Sequence, residues 1–314
     1  MSDKWTAADI PDQTGRRAII TGANSGLGFE TALALAAHGA EVTMAVRDVA
    51  KGEAAAAQIR TRVPQASLEV RRLDLADLAS IDDFAWLWRE AHPEGVDLLI
   101  NNAGIMAIPR RETANGFEMQ LGTNHLGHFA LTGRLIDAMR RDGRIVTVSS
   151  QAHRMGRMDF DDLMGERKYG AWRAYGQSKL ANLLFMRGLT ERLERAGSTI
   201  ISAAAHPGYA STHLQAVGPE MRGQGWMNSI MGAANKVLAQ SAAMGALPTL
   251  YAATFAVIRS GDYVGPDGFG EQRGHPKLVG MTASARDDEA ANRLWSVSED
   301  LTGVRYLDGP TSSS

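Results

Sequence analysis

The sequence predicts an α/β fold built on one doubly wound parallel sheet, and three observations carry that prediction. Short apolar segments alternate with longer amphipathic ones along almost all of the 314 residues. The segment Val96 to Ile100 is apolar except for Asp97, as expected of a strand covered on both faces. A glycine-rich turn, Thr21-Gly22-Ala23-Asn24-Ser25-Gly26-Leu27-Gly28, closes the first apolar segment and opens the first amphipathic one.

Taken in order, Arg17 to Thr21 reads as the first strand, and the helix after the turn runs from about Gly26 to His38. Glu41 to Val46 is the second strand, followed by an Ala-rich helix from about Val49 to Arg62. Leu68 to Leu73 is the third strand and ends at Asp74-Leu75. Asp77 to Ala91 is helical, with Leu78, Ile81, Phe84, Ala85 and Trp88 at helical spacing. After Val96 to Ile100, the fourth strand, Phe117 to Arg140 is mostly helix and Arg144 to Ser149 the fifth strand. Tyr169 to Ala196 is a helix, and Thr199 to Ala205 a sixth strand ending at His206-Pro207-Gly208. An insertion then runs to about Gln240, followed by a helix to Arg259, a short strand near Tyr263 and a closing helix from Asp287 to Leu301. The expected organisation is an N-terminal extension over 1–13, one domain over 14–305 and a tail over 306–314. Right-handed crossovers place ligands beyond the carboxyl ends of such strands, and every motif described below falls at one of those ends.

Composition narrows the function. Hydrophobic content of 44% and charged content of 22% fit a globular protein, and a net charge of −2 offers no general attraction to nucleic acid. The absence of Cys excludes disulfides, thiolate metal sites and thiol catalysis, so no metal site is expected, and it suits a reducing compartment. Met1 to Gln13 has charges and no apolar run, so it does not read as a signal peptide, and a cytoplasmic location is expected. Val237 to Ile258 lacks charge and is long enough to cross a bilayer, but Gln240, Ser241, Gly245, Pro248, Thr249 and Thr254 dilute it; a buried helix is the expectation.

The glycine turn sits where a Rossmann-type sheet binds a dinucleotide. Gly22, Gly26 and Gly28 let the backbone approach a pyrophosphate, with Asn24, Ser25 and Leu27 between them, and the helix N-terminus favours negative charge. An NAD enzyme of this architecture places an acid after the second strand to bind the ribose 2′-hydroxyl. Here Val46 is followed by Arg47, whose guanidinium can pair with a 2′-phosphate, so NADP(H) is expected in preference to NAD(H). Asp74, with Leu75, ends the third strand where an adenine amino group would be met; alternatively Asp74 caps the next helix. Asn101-Asn102-Ala103-Gly104 closes the fourth strand with small residues that let backbone pass beside the adenosine, and its asparagines can tie neighbouring strands together.

Tyr175 and Lys179, four apart, share a helix face. Reducing a carbonyl requires a proton for the developing alkoxide, and a phenol of pKa about 10 is a poor donor at neutral pH. Bringing it near 7 takes about 4 kcal/mol, which a unit charge about 4 Å away supplies at an effective dielectric of about 20. Lys179 is therefore sufficient in magnitude.

Thr21-Gly22-xxx-Gly26-x-Gly28, Asn101-Asn102-Ala103-Gly104, Asn124, Ser150, Tyr175-xxx-Lys179 and Pro207-Gly208 stand in the order of the short-chain dehydrogenase/reductase family, which the chain resembles from about residue 14 to 305. Ala45-Val46-Arg47-Asp48, Asn124-His125-Leu126-Gly127-His128-Phe129 and Ser178-Lys179-Leu180-Ala181-Asn182 are similar to its retinol-dehydrogenase and WW-domain-oxidoreductase branch. The resemblance implies that Tyr175 is the general acid/base and that Lys179 lowers its pKa and binds the nicotinamide ribose. It implies that Ser150 polarises the substrate oxygen, with Ser149 as an adjacent competitor, and that Asn124 holds a proton-relaying water. Pro207, Gly208 and Thr212 would flank the nicotinamide amide, and about 209–240 would form a substrate lid. Homodimers or homotetramers pairing through the helices that carry Asn124 and Tyr175 are common in the family.

Within the implied lid, Trp226, Met227, Ile230, Met231, Ala234, Val237 and Leu238 form an apolar stripe, either a pocket wall or core packing. Met227 and Met231, with Gln151, His153 and Tyr209, are the candidate pocket residues. The resembled branch often carries an apolar N-terminal anchor, and no such run is present here. The expected function is thus interconversion of a carbonyl and an alcohol on a small lipophilic substrate. The competing expectation is a non-catalytic NADP(H) sensor or scaffold, which would not require both Tyr175 and Lys179.

Overall fold

The computed structural model describes residues 4–209 and 241–307. Within them β1 (Arg17–Thr21), β2 (Glu41–Val46), β3 (Leu68–Arg72) and β4 (Val96–Asn101) are joined by β5 (Met139–Val148), β6 (Ile201–Ala205), β7 (Tyr263–Pro266) and β8 (Pro276–Leu278). They form one sheet in the order β3-β2-β1-β4-β5-β6-β7-β8, parallel except for β8, which pairs antiparallel with β7. The order reverses between β1 and β4, and that switch point is where a crevice for ligand opens.

The helices are α1 (Gly26–Ala37), α2 (Val49–Arg62), α3 (Leu78–Ala91), α4, α5 (Ala171–Arg195), α6 (Ala242–Thr254) and α7 (Asp288–Thr302). α4 runs through Met119–Leu121, a π-helical turn Gly122–Leu126 and Gly127–Leu135. Side chains alternate between two covered faces, which is why the inner parts of β1, β4 and β5 are mostly apolar. Ala18 and Ile20 face α1 and α6, whereas Ile19, Leu99 and Ile145 face α3, α4 and α5. Local chemistry sets the helix starts: Asp48, Asp77 and Asp287 each accept a backbone N–H in the first turn of α2, α3 and α7.

Three features depart from the sequence reading. β5 begins at Met139 rather than Arg144, because Met139 pairs with Val96 before the register shifts to Leu98 and Arg144; Arg140, Arg141 and Asp142 read as loop. β8 is a three-residue edge strand too short to leave a pattern. The π turn inside α4 has no sequence signature either, although such turns concentrate at functional sites. Within the uncharged stretch from Val237, α6 covers Ala242–Thr254 and buries most of its length against the sheet, and among the described residues no helix is long and apolar enough to cross a membrane.

α7 and the segment after it cover the outer side of α4 and α5. Trp295 stacks on Phe185 of α5 and meets Phe129 of α4 edge-on at 5.0 Å, while Tyr306 packs on Phe129 at 5.0 Å. A Cβ on Gly133 would stand 2.5 Å from the Tyr306 ring, so α4 is shaped to take that ring.

Candidate active site

The first half of the site is built from backbone. Gly22 has φ +68, and a Cβ on Gly28 would lie 2.4 Å from the Gly22 carbonyl oxygen, so only glycine lets the turn fold back against α1. Ser25 begins α1 but its side chain makes no capping bond, which leaves the first-turn N–H groups to a ligand. The Thr21 hydroxyl oxygen accepts the N–H groups of Asn102 and Ala103 at 2.9 Å each, and the Asn102 side chain donates to the Thr21 carbonyl at 2.7 Å. Asn101 donates to Thr132 on α4. The asparagines therefore do tie β1, β4 and α4 together, with Ala103 and Gly104 lying beside the turn. These residues fit a dinucleotide: a turn without side chains, uncapped N–H groups and small neighbours converge at the sheet's switch point.

Arg47 stands exposed just past β2. The adjacent carboxylate, Asp48, accepts the Lys51 N–H at 3.1 Å and pairs with the Lys51 ammonium at 3.7 Å. Asp74 accepts the Ala76 N–H at 3.0 Å while its own N–H donates to Ser80, and Leu75 is buried beside it.

The second half is built from buried side chains. Gly176, one residue after Tyr175, has no side chain, and a Cβ there would meet the Ala152 carbonyl at 3.0 Å. That close approach seats the turn Gln151–Met155 on α5 and brings Ser150 to Tyr175. Ser149 spends its hydroxyl on the Lys179 carbonyl at 2.8 Å, whereas Ser150 is half-buried and hydrogen-bonds the Tyr175 hydroxyl. Tyr175 is 6% exposed and Lys179 4%. The Lys179 ammonium donates to the Val148 carbonyl at 3.1 Å and lies 5.8 Å from the centre of the Tyr175 ring.

Electrostatics in this cleft runs against the simple expectation. Burial raises the Tyr175 phenol, and the Ser150 hydrogen bond only partly offsets it. Burial also pushes the Lys179 ammonium down to about 8. Both groups are held away from their charged forms, and desolvation outweighs the attraction that the spacing suggested.

Asn124 lies in the π turn. Its amide oxygen accepts the Ile105 N–H at 2.8 Å, and its amide nitrogen donates to the Ile105 carbonyl and to Ser178, each at 2.9 Å. A Cβ on Gly104 would fall 3.1 Å from that amide oxygen and 3.4 Å from the Lys179 nitrogen, so Gly104, Asn124 and Lys179 share one corner. The Asn124 carbonyl is hydrogen-bonded by His128, whose other ring nitrogen meets the Thr21 hydroxyl at 2.9 Å. Burial drives the His128 imidazole down to about 4, so it is neutral and links the two halves of the site as a spacer.

Among the remaining predicted residues, Pro207 and Gly208 stand just past β6, and Gly208 donates its N–H to His206 at 3.2 Å. Tyr209 is partly exposed beside them. Gln151 points to the Gly270 carbonyl at 2.5 Å. His153 turns inward, 1% exposed, against Tyr263, with one ring nitrogen on the Ser150 carbonyl at 2.7 Å. Thr212, Met227 and Met231 lie outside the described residues. Sequence reasoning gave no role to Ser178, His128, His206 or Trp172, although the first three stand within the motifs quoted above. Trp172, 50% exposed, meets the Tyr175 ring edge-on at 6.1 Å from one helical turn away.

The pattern of the short chain dehydrogenase family matches residues 16–222. Retinol dehydrogenase 13 of Homo sapiens is 42% identical over 303 residues, which cover 95% of this chain and 86% of that protein. The crystal structure of an uncharacterized protein from Mycobacterium paratuberculosis superposes with a TM-score of 0.80 at 45% identity, over 96% of this chain and 99% of that one. Two more distant structures share the fold. A short chain dehydrogenase from Burkholderia cenocepacia in complex with NADP has 22% identity and a TM-score of 0.60 over 79% of this chain and 95% of that one. A short chain dehydrogenase/reductase from Burkholderia phymatum in complex with NAD has 23% identity and a TM-score of 0.59 over 77% and 86%.

Proposed function

The chain belongs to the short chain dehydrogenase family, in its retinol-dehydrogenase-like branch, and from that premise we propose that this oxidoreductase interconverts a lipophilic carbonyl compound and its alcohol with NADP(H). The observation that carries the proposal is the meeting of Ser150, Tyr175 and Lys179 in one buried corner beside the glycine turn. Gly22 to Gly28, Asn101 to Gly104, Lys179 and the Pro207–Gly208 turn would hold the dinucleotide, whose nicotinamide would supply or accept the hydride.

The chain's own residues handle the proton. Ser150 holds the substrate oxygen against the Tyr175 hydroxyl. As the carbonyl is reduced, Tyr175 gives its proton to that oxygen, and in the reverse direction it takes the proton back. Lys179 stabilises the resulting phenolate. Its depressed pKa means that it is charged at neutral pH but readily shares a proton with its surroundings. Asn124 holds Ile105 and Ser178 beside Lys179 and, through a water, would pass protons towards it.

NADP(H) is favoured because Arg47 is exposed where the 2′-phosphate would lie and the nearest carboxylate, Asp48, is engaged with α2 and Lys51. A lipophilic substrate is favoured by Trp172 against the Tyr175 ring and by the names of the retinol dehydrogenases among the relatives. The test is to mix the protein with NADPH or NADH and a panel of apolar aldehydes and ketones. Oxidation of NADPH faster than of NADH with at least one carbonyl is expected; cofactor binding without turnover on any of them would favour a sensor instead.

A further inference from the structure

The loop between β7 and β8 reaches back to the reacting half of the site and grips two turns at once. From the turn after Ser150, Gln151 donates to the Gly270 carbonyl at 2.5 Å and Arg154 pairs with the Glu271 carboxylate at 3.0 Å. From the turn after β6, Tyr209 donates its N–H to the Gln272 carbonyl at 2.7 Å and His206 meets the same Glu271 oxygen at 3.1 Å. Because Gly208 gives its N–H to Nδ1 of His206, that nitrogen is the acceptor, so the proton is assigned to Nε2, which donates to Glu271.

The contact is closely fitted. The His206 side chain is fully buried, and a Cβ on Gly265 would come 2.1 Å from its Nε2, so β7 leaves space for the ring. A Cβ on Gly208 would come 2.4 Å from the Gln272 carbonyl. Glu271 itself holds φ +57, a left-handed conformation that a residue with a side chain adopts when its surroundings over-determine it. Those surroundings are His206 and Arg154. Burial keeps His206 neutral, with a pKa of about 4, among Glu271, His153 and Arg154, so the Glu271 contact is a directed hydrogen bond at neutral pH rather than an ion pair.

We propose that Glu271 is a positioning residue for the nicotinamide side of the site: by holding Arg154 and His206 together it fixes the distance between Ser150 and the Pro207–Gly208 turn. The proposal rests on the dehydrogenase reading above. It acts through geometry, and a small displacement of reacting groups is enough to cost a large factor in rate.

The test compares two ligands on the full-length protein: NADPH, and ADP-ribose 2′-phosphate, which lacks the nicotinamide. Glu271→Ala is expected to lower NADPH affinity or kcat by at least about tenfold while ADP-ribose 2′-phosphate affinity stays within about twofold. Glu271→Gln is expected to recover part of the loss, since its amide oxygen still accepts from His206. Equal losses for both ligands, or unchanged NADPH affinity and kcat, would overturn the assignment. Should Glu271→Ala not fold, Glu271→Gln and Arg154→Met carry the same comparison. Should the wild-type protein reduce no carbonyl, the dehydrogenase reading fails while the difference between the two ligands still decides the role of Glu271.

Discussion

The two halves of the site are made by different means. Around Gly22 to Gly28 and Asn101 to Gly104 the binding surface is main chain, shaped by glycine conformations and by Thr21 holding two neighbouring N–H groups. Around Ser150, Tyr175 and Lys179 it is side chain, and its chemistry depends on burial that shifts both titratable groups. The first half works mainly by backbone shape, with Arg47 as its one candidate charge. The second works with a phenol that burial keeps neutral and an ammonium that burial penalises, so substitutions there should separate chemistry from binding.

The largest expected effect falls on that separation. Tyr175→Phe keeps the ring against Trp172 and removes only the hydroxyl bonded to Ser150. We expect kcat to fall by about 10²- to 10⁴-fold with NADPH affinity changed only a few-fold, measured by steady-state kinetics and nicotinamide fluorescence. Turnover that survives would remove Tyr175 from the acid/base role and leave the two halves undivided. A smaller effect probes the other half. Arg47→Asp places a carboxylate past β2 where the guanidinium now stands, and the ratio of kcat/KM for NADPH over NADH should drop by about ten- to hundredfold and favour NADH. An unchanged ratio would mean that the 2′-phosphate is read elsewhere.

The same division explains what was legible in the sequence. The glycine turn and its strands were readable to the residue, because β1, β2 and α2 are local structures and glycine spacing encodes backbone shape directly. Tyr175 and Lys179 were readable as a pair on one helix, and the doubly wound sheet followed from the alternation of segments. What could not be read depends on distant contacts. In the sequence Ser150 is preferred to Ser149 only through the family resemblance, and the physical difference between them, the Ser149 hydroxyl spent on the Lys179 carbonyl, is a tertiary contact. The covering of α4 and α5 by α7 joins residues more than a hundred positions apart, such as Phe129 and Trp295. The sign of the Tyr175 shift was missed for the same reason: helical spacing reports that Lys179 is near, but not how much water the fold removes from both groups.

Lys179 offers the finest measure of how far the second half is under strain. Its ammonium is buried and held down to about 8, against about 10.5 for the unfolded chain, so the folded state is penalised for carrying the charge. The unfolded chain binds more protons between those two values, hence stability should rise with pH across that window and the penalty should be complete below it. Lys179→Met removes the charge and keeps an unbranched side chain, and the Val148 carbonyl retains the Asn182 side chain as a donor at 3.0 Å. Without bound cofactor, the variant should therefore be more stable than the wild type by about 1–3 kcal/mol at neutral pH, although turnover is lost. The gap should close as the pH rises from about 8 to about 10.5 in denaturant titrations of both proteins. His128 and Tyr175, which face the ammonium, stay neutral through most of that range and leave the sign unchanged. A variant less stable than the wild type at neutral pH would show that the Val148 hydrogen bond outweighs desolvation, and that the reacting half is no more strained than the glycine turn opposite.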